Sequence, residues 1–237
     1  MWKRGFSVQG RDVYGILKQM GATHFHHANS VTTCCTFLEQ GGLLSRGFVE
    51  NKGLKQSEQP SDQLDKKYGI WRSIFLPHVD IHGQAGQTKG YNRYGPAMFV
   101  LDLDILLRLP AGSAVRVTKR SPAHWYDTEP ESGRWFQTAE EMAKSIRPED
   151  FDKLVAIQTP LERLDFPKRK ARIILDAPQK QMSSGENAYI HAEKRLKAAA
   201  EAGQVQLSIE RRQCPTGCIC PEKYAVWSTP VIDFYFG

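Results

Sequence analysis

Short helix-like and strand-like segments alternate along this chain, with turn-forming residues between them. The first helix has apolar residues at the spacing of one helix face, at Val13, Ile16, Leu17 and Met20. Asn29 or Ser30 can cap a second helix, which Gly41 and Gly42 would end. Because strand candidates become more frequent toward the C-terminus, the pattern predicts an α+β fold.

The later part of the chain contains most of the expected strands. Strand candidates are residues 23–28, 97–107, 113–119, 153–157, 172–176, 204–209, 224–227 and 231–236. Thr138 with Glu141 forms a capping box, and a further helix is expected over residues 187–202. The polar segment 51–67 contains Pro60 and reads as a surface loop. We expect a single domain over residues 1–237, with residues 178–237 as a C-terminal elaboration.

Composition limits the classes of protein to consider. The chain has 237 residues and a net charge of +6, a modest lean toward polyanionic partners. No apolar run approaches the roughly 18 residues of a membrane span, so no membrane partner is expected. An odd number of cysteines and no export signal predict a cytoplasmic protein.

The five cysteines fall into two groups. Cys34 and Cys35 lie on the apolar stripe of the second helix and read as core residues. Cys214, Cys218 and Cys220 could bind zinc with a histidine, but their spacing is unlike that of zinc knuckles. Packed or loop cysteines are therefore the favoured interpretation, and no metal ligand is assigned.

Three histidines within four residues precede the second helix. In a strand, His24 and His26 would share one face, and His27 would point to the other. The segment is a polar strand, a metal site or a ligand site, since a neutral imidazole can both donate and accept hydrogen bonds. The amino terminus of the following helix would favour an anionic group such as pyrophosphate.

Two blocks of the chain carry a family resemblance. The first is residues 27–29 (HAN) with Gly42-Leu43 after the next helix, and the second is residues 73–105. They resemble the ADP-ribosyltransferase superfamily, in particular its DarT-like toxins, which modify nucleic acids. HAN stands where that family has His-Gly-Thr, and Gly42-Leu43 stands at its later Gly-Leu turn. Residues 73–105 resemble the family's next strand–helix–strand block. The resemblance implies a split antiparallel β-sheet core with flanking helices, and NAD as a substrate.

The resemblance also implies roles for individual residues. Glu162 is the expected catalytic carboxylate, and His27 is expected to position the ribose and carboxamide. The other expected cofactor-binding residues are Asn29, Arg46, Arg72, Phe75 and Tyr94. Phe75 would stack on nicotinamide, and the two arginines would bind pyrophosphate. Glu193 is the alternative glutamate, but it reads as a solvated partner of Lys197.

Basic residues point to DNA or RNA as the acceptor. The expected nucleic-acid contacts are Arg163, Lys168, Arg169 and Lys170, which follow Glu162 in the sequence. A second basic group contains Arg116, Lys119 and Arg120, and the aromatic residues 125, 126, 135 and 136 could stack on unpaired bases. The resemblance further implies a toxin or antiphage effector, with an antitoxin protein as a partner.

Three alternatives remain open at this stage. Glu162, Asp165, Lys168 and Lys170 could form a metal-dependent nuclease site, although Pro167 interrupts the run. A non-catalytic nucleic-acid-binding module is the second alternative. A zinc-stabilised protein that uses the C-terminal cysteines is the third.

Overall fold

The computed structural model describes residues 7–80, 82, 93–214 and 216–237. Its helices are α1 Gly10–Gln19, α2 Val31–Gln40, α3 Arg46–Asn51, α4 Asp62–Lys67, α5 Glu131–Arg134, α6 Ala139–Ser145, α7 Ala188–Ala202, α8 Cys220–Ala225 and α9 Thr229–Phe236. Its strands are β1 His24–Asn29, β2 Gly42–Leu44, β3 Ile74–Pro77, β4 Ala97–Asp102, β5 Ala114–Val117, β6 Leu154–Gln158, β7 Arg163–Asp165, β8 Lys170–Leu175 and β9 Gln206–Arg211.

The strands form three sheets within the described residues. One has the order β1-β4-β8-β9, another the order β3-β6-β5, and β2 pairs with β7. All pairs are antiparallel except β8 with β9. The predicted α+β class with a split, largely antiparallel sheet core is confirmed.

Helix α2 lies in the centre of the main core. Ser30 caps it by accepting a hydrogen bond from the Thr33 amide, and Gly41 ends it at a φ of 75°. Cys34 is fully buried and Cys35 is 6% exposed, as expected for core positions. Helix α2 packs against α7 and α9, which buries its apolar face on several sides. Each large apolar side chain buried in this way contributes about 1.5–3 kcal/mol.

Strand β4 is shorter and more deeply buried than the sequence suggested. It ends at Asp102, and a 3-10 turn continues through Leu107. The pattern had predicted one half-buried strand over residues 97–107. Because β4 lies between β1 and β8 and has core on both faces, its first five residues are all buried.

The final two predicted strands are helices. Residues 224–227 overlap the end of α8, and residues 231–236 lie within α9. Their aromatic and β-branched residues favoured strands. Pro230 instead stands in the first turn of α9, where proline is tolerated. Ile232 and Phe236, four residues apart, are both fully buried, so helical burial outweighs local strand propensity.

Residues 178–237 contribute to the main core. Strand β9 extends the sheet beside β8, and α7 packs on α2. The division into one domain with an elaboration stays a prediction. Within the described part of the chain, no helix combines the length and apolar character needed to cross a bilayer.

Candidate active site

The carboxyl end of β1 presents an ordered group of polar side chains. His27 Nδ1 lies 2.9 Å from the Phe75 carbonyl oxygen, which can only accept, so Nδ1 carries the proton. The Asn29 amide then donates to His27 Nε2 across 3.2 Å. Burial lowers the pKa of His27, so the imidazole is neutral and fixed in one tautomer.

Glu162 lies beside Ser45 because β2 and β7 pair. Leu44 pairs with Arg163 in the strand register. Ser45, which follows Leu44, therefore lies opposite Glu162, which precedes Arg163. The Ser45 hydroxyl donates to Glu162 Oε2 across 3.0 Å, and the Ser45 amide donates to the Glu162 carbonyl across 2.9 Å. The sequence had suggested no role for Ser45, which is fully buried.

Arg72 forms an ion pair with the Glu162 carboxylate. The guanidinium hydrogen bond holds the pKa of Glu162 below its ordinary value, so the carboxylate is charged at neutral pH. Arg72 is itself 59% exposed, whereas the Glu162 side chain is 12% exposed. Arg72, which was expected to bind pyrophosphate, thus contacts the carboxylate of Glu162, the expected catalytic residue.

The backbone at Glu162 is unusual for a glutamate. Its φ is 52°, in the left-handed region that non-glycine residues seldom adopt. The turn is closed by the Glu162 amide bonding to the Thr159 carbonyl at 3.0 Å and by the Thr159 hydroxyl bonding to Arg163. Such strain costs about 1–3 kcal/mol and is concentrated at functional sites.

Arg46 connects the two parts of the site. It follows Ser45, its guanidinium lies 5.3 Å from the centre of the Trp71 ring, and its charge helps to lower the pKa of His27. One of its nitrogens donates to Asp62 Oδ2 across 2.5 Å and to the Ser57 carbonyl across 2.9 Å. Its Nε and Nη1 atoms are buried without a hydrogen-bond partner.

The segment over residues 51–67 is more than a surface loop. Ser57 accepts a 2.7 Å hydrogen bond from the Ser30 hydroxyl, at the amino terminus of α2. The Gln59 amide donates to Asn29 Oδ1 across 2.5 Å and so orients the group that contacts His27. The segment also contains helix α4, so the prediction of a loop was wrong for its last six residues.

Tyr94 lies close to Asp65, a residue that sequence analysis did not select. Burial and the neighbouring Asp65 carboxyl raise the pKa of Tyr94, although the residue is 38% exposed overall. Burial raises the pKa of Asp65 to about 7. Its place in the charged sequence DQLDKK offered no signal, because such runs are usually solvated.

We expect Asp65→Asn to change how stability depends on pH. The folded-state pKa of about 7 exceeds the ordinary aspartate pKa of 3.8, so Asp65 lowers wild-type stability as pH rises between these values. The loss is at most about 4 kcal/mol, at 1.36 kcal/mol per pKa unit. Denaturant unfolding at pH 5 and pH 8 should show a smaller decline in the variant.

The control for this measurement is Asp104→Asn, at an exposed carboxylate that pairs with Arg108. Equal pH slopes for wild type and Asp65→Asn would contradict the prediction. The wild type and the Asp65→Asn variant share the other groups that act on the pKa of Asp65, namely Arg46, Asp62 and the Ser61 hydroxyl.

The expected nucleic-acid residues lie in β7, the turn after it and the start of β8. Arg163 is adjacent to Glu162 and forms a 2.5 Å ion pair with Asp165. Lys168 and Arg169 belong to the 3-10 turn after β7, and Lys170 begins β8. Arg169 donates to the Gly203 carbonyl across 2.9 Å, which directs it toward the end of α7.

The second basic group is paired with glutamates. Arg116 is buried and lies 3.6 Å from Glu131. Lys119 contacts Glu141, and Arg120 contacts Glu129 at 2.6 Å. These pairs leave little net positive charge for a polyanion.

The aromatic residues near this second group are mainly structural. Trp125, Trp135 and Phe136 are 6%, 2% and 2% exposed, so the stacking role suggested for them does not fit. Tyr126 is 66% exposed and has the Arg120 guanidinium 4.9 Å from its ring centre. Phe75 is half-buried and packs against the cluster that contains Trp125 and Trp135.

No protein-family model matches the chain, and no curated protein matches it. Its α+β fold is similar to that of an ADP-ribosyltransferase, DarT from Thermus sp. 2.9, in two solved structures. DarT in complex with ADP-ribosylated ssDNA has a TM-score of 0.46 and 12% identity over 80% of this chain and 95% of that chain. DarT in complex with NAD+ has a TM-score of 0.44 and 14% identity over 80% and 96%.

Proposed function

We propose that this protein is an NAD-dependent ADP-ribosyltransferase that modifies a nucleic acid. The observation that carries the proposal is the charged Glu162 carboxylate, held by Ser45 and Arg72 at a strained turn. Arg72 and Phe75 both belong to β3 or the turn before it, and the Phe75 carbonyl holds His27. The short stretch from Arg72 to Phe75 therefore contacts both the Glu162 carboxylate and the neutral imidazole of His27.

The polar groups of this region suit a dinucleotide. Arg46 has two buried nitrogens without partners beside His27, and these can donate to phosphate oxygens. The Asn29 amide and the His27 imidazole can bind a ribose or carboxamide once the hydrogen bond between these two side chains opens. The partly buried ring of Phe75 is the proposed stacking surface for nicotinamide.

The proposed reaction breaks the bond between nicotinamide and ribose. Positive charge develops on the ribose as this bond lengthens, and the nearby Glu162 carboxylate stabilises it. A nucleophilic atom of the acceptor then bonds to the ribose carbon and loses its proton to Glu162 or to water. Nicotinamide leaves with the electron pair of the broken bond.

The proposed acceptor is single-stranded DNA or RNA, with Arg163 as the basic contact nearest to Glu162. Lys168, Arg169 and Lys170 would contact the strand farther along the surface. We further propose a role as a toxin or antiphage effector, with an antitoxin protein as a partner. The basis for this part of the proposal is the sequence resemblance.

Incubation with NAD labelled in its adenylate part tests the proposal. We expect label to enter one of four supplied acceptors, namely single-stranded DNA, duplex DNA, single-stranded RNA or a control protein mixture. Nicotinamide release should accompany transfer one to one. No release and no transfer with any acceptor would contradict the proposal.

The same incubation separates the nuclease alternative. Cleavage of nucleic acid that needs added Mg²⁺ and no NAD would favour a nuclease. The structure does not favour it, because Arg72 and Ser45 occupy the Glu162 carboxylate and Arg163 pairs with Asp165. Across the described ranges, neither acid belongs to a group of three or more potential metal ligands.

A further inference from the structure

Four potential metal ligands from distant parts of the chain meet at one point, and we term them the Cys–His cluster. Its members are His82, Cys214, Cys218 and Cys220. The ligand atoms all lie within 4.8 Å of one another. His82 comes 132 residues before Cys214, so the fold rather than the local sequence brings the set together.

We propose that the Cys–His cluster binds one structural zinc ion. Three thiolates and an imidazole are a ligand set typical of closed, tetrahedral zinc sites, and soft sulfur ligands disfavour Mg²⁺ and Ca²⁺. Each thiol would release its proton on binding, so the site holds the ion with three thiolate charges.

The distances from the histidine to two of the sulfurs fit a tetrahedral ion. Zinc bonds of about 2.3 Å to sulfur and 2.0–2.1 Å to nitrogen place these two ligands about 3.6 Å apart. His82 Nε2 lies 3.6 Å from Cys214 Sγ and 3.6 Å from Cys218 Sγ. Cys214 Sγ and Cys220 Sγ are 3.0 Å apart, which is longer than the disulfide length of about 2.05 Å but shorter than the roughly 3.8 Å between two sulfurs on one zinc ion. These two thiols would therefore separate by about 0.8 Å on binding the ion.

A second layer of contacts supports the ligands. His82 Nδ1, the nitrogen away from the sulfurs, lies 3.5 Å from Asp176 Oδ2. A carboxylate behind a ligating histidine fixes its tautomer and orientation in many zinc sites. Asp176 is buried and in turn accepts hydrogen bonds from Arg212 at 3.0 Å and from Tyr224 at 2.6 Å.

Backbone amides also position members of the Cys–His cluster. The Cys220 amide lies 3.5 Å from Cys218 Sγ, in the direction that stabilises a thiolate. The Asp80 carboxylate accepts from the His82 amide at 3.0 Å and also pairs with Arg212. The proposed ion therefore ties the chain after β3 to the chain after β9 and to the start of α8.

Metal analysis of the purified full-length chain, kept reduced, tests the site. We expect about one zinc per chain in the wild type. Cys218→Ala should reduce zinc content at least about tenfold. The matched control is Cys35→Ala, which removes a buried thiol from α2 and should keep the zinc.

Two measurements on the wild type keep the test valid if Cys218→Ala fails to fold. A zinc chelator should lower the melting temperature, and added Zn²⁺, but not Mg²⁺, should restore it. Co²⁺ added to the stripped protein should give the charge-transfer absorption of thiolate ligands. A reduced protein with no zinc and no Co²⁺ absorption would overturn the proposal, as would a Cys214–Cys220 disulfide in the native chain.

Discussion

Glu162→Gln should reduce ADP-ribosyl transfer to background, a loss of roughly 1,000-fold or more. The amide keeps the size of the side chain and can still bond to the Ser45 hydroxyl, but it lacks the charge that stabilises the developing positive ribose. Affinity for NAD should stay within about tenfold, because the lost contact is made mainly in the transition state. Single-turnover transfer and NAD titration by calorimetry separate the two effects.

The matched control is Glu193→Gln, at the glutamate that the sequence left as the alternative. Glu193 forms a 2.9 Å surface ion pair with Lys197 on α7, and its loss should leave transfer within about twofold. Induced expression in a bacterial host adds a second readout: the wild type should arrest growth, and Glu162→Gln should not. A fully active Glu162→Gln would remove Glu162 from the proposed mechanism.

Gly95→Ala should strongly destabilise the protein. Gly95 has a φ of 146°, and a Cβ there would lie 2.1 Å from the Asn29 carbonyl carbon and 2.4 Å from the Ser30 nitrogen. Backbone atoms cannot yield as a flexible side chain does, so the junction between β1 and α2 must shift. We expect a cost of roughly 3–5 kcal/mol, near the upper end for single substitutions.

Thermal unfolding measures this cost. At roughly 2–4 °C per kcal/mol for a chain of this size, the melting temperature should fall by roughly 6–20 °C. Gly53→Ala is the control, since Gly53 has a φ of 63° but open space around its Cβ position. It should cost only about 1–2 kcal/mol. Equal melting temperatures for the two variants would show that the junction has room for a methyl group.

Several local features could be predicted from the sequence, because short-range interactions decide them. The helix caps at Ser30 and Thr138 and the helix end at Gly41 all depend on residues within a few positions. The capping box is only half formed, because the Glu141 carboxylate accepts from the Gln137 amide and not from the Thr138 amide. The strand at His24–Asn29 and the α+β class followed from similar patterns. Where burial in the whole fold outweighed local propensity, as in α9, the prediction was wrong.

The candidate site was only partly predictable. His27, Asn29, Arg46, Arg72 and Glu162 were selected by resemblance, and their roles stay predictions. The structure pairs His27 with Asn29 and Arg72 with Glu162, and it places the Arg46 charge near His27. Ser45, Gln59 and Asp65 were missed, because their contacts depend on pairing of β2 with β7 or on the packing of residues 51–67.

The amino-acid sequence alone thus determined the class of fold, the order of several helices and of most strands, and a set of candidate site residues. Only the tertiary structure decided which of those residues meet, that Arg163 pairs with Asp165 while Arg169 donates to the Gly203 carbonyl, and that His82 joins three distant cysteines. The physical reason is range: helix caps and strand patterns arise from neighbours along the chain, whereas ion pairs and ligand clusters need long-range closure of the chain.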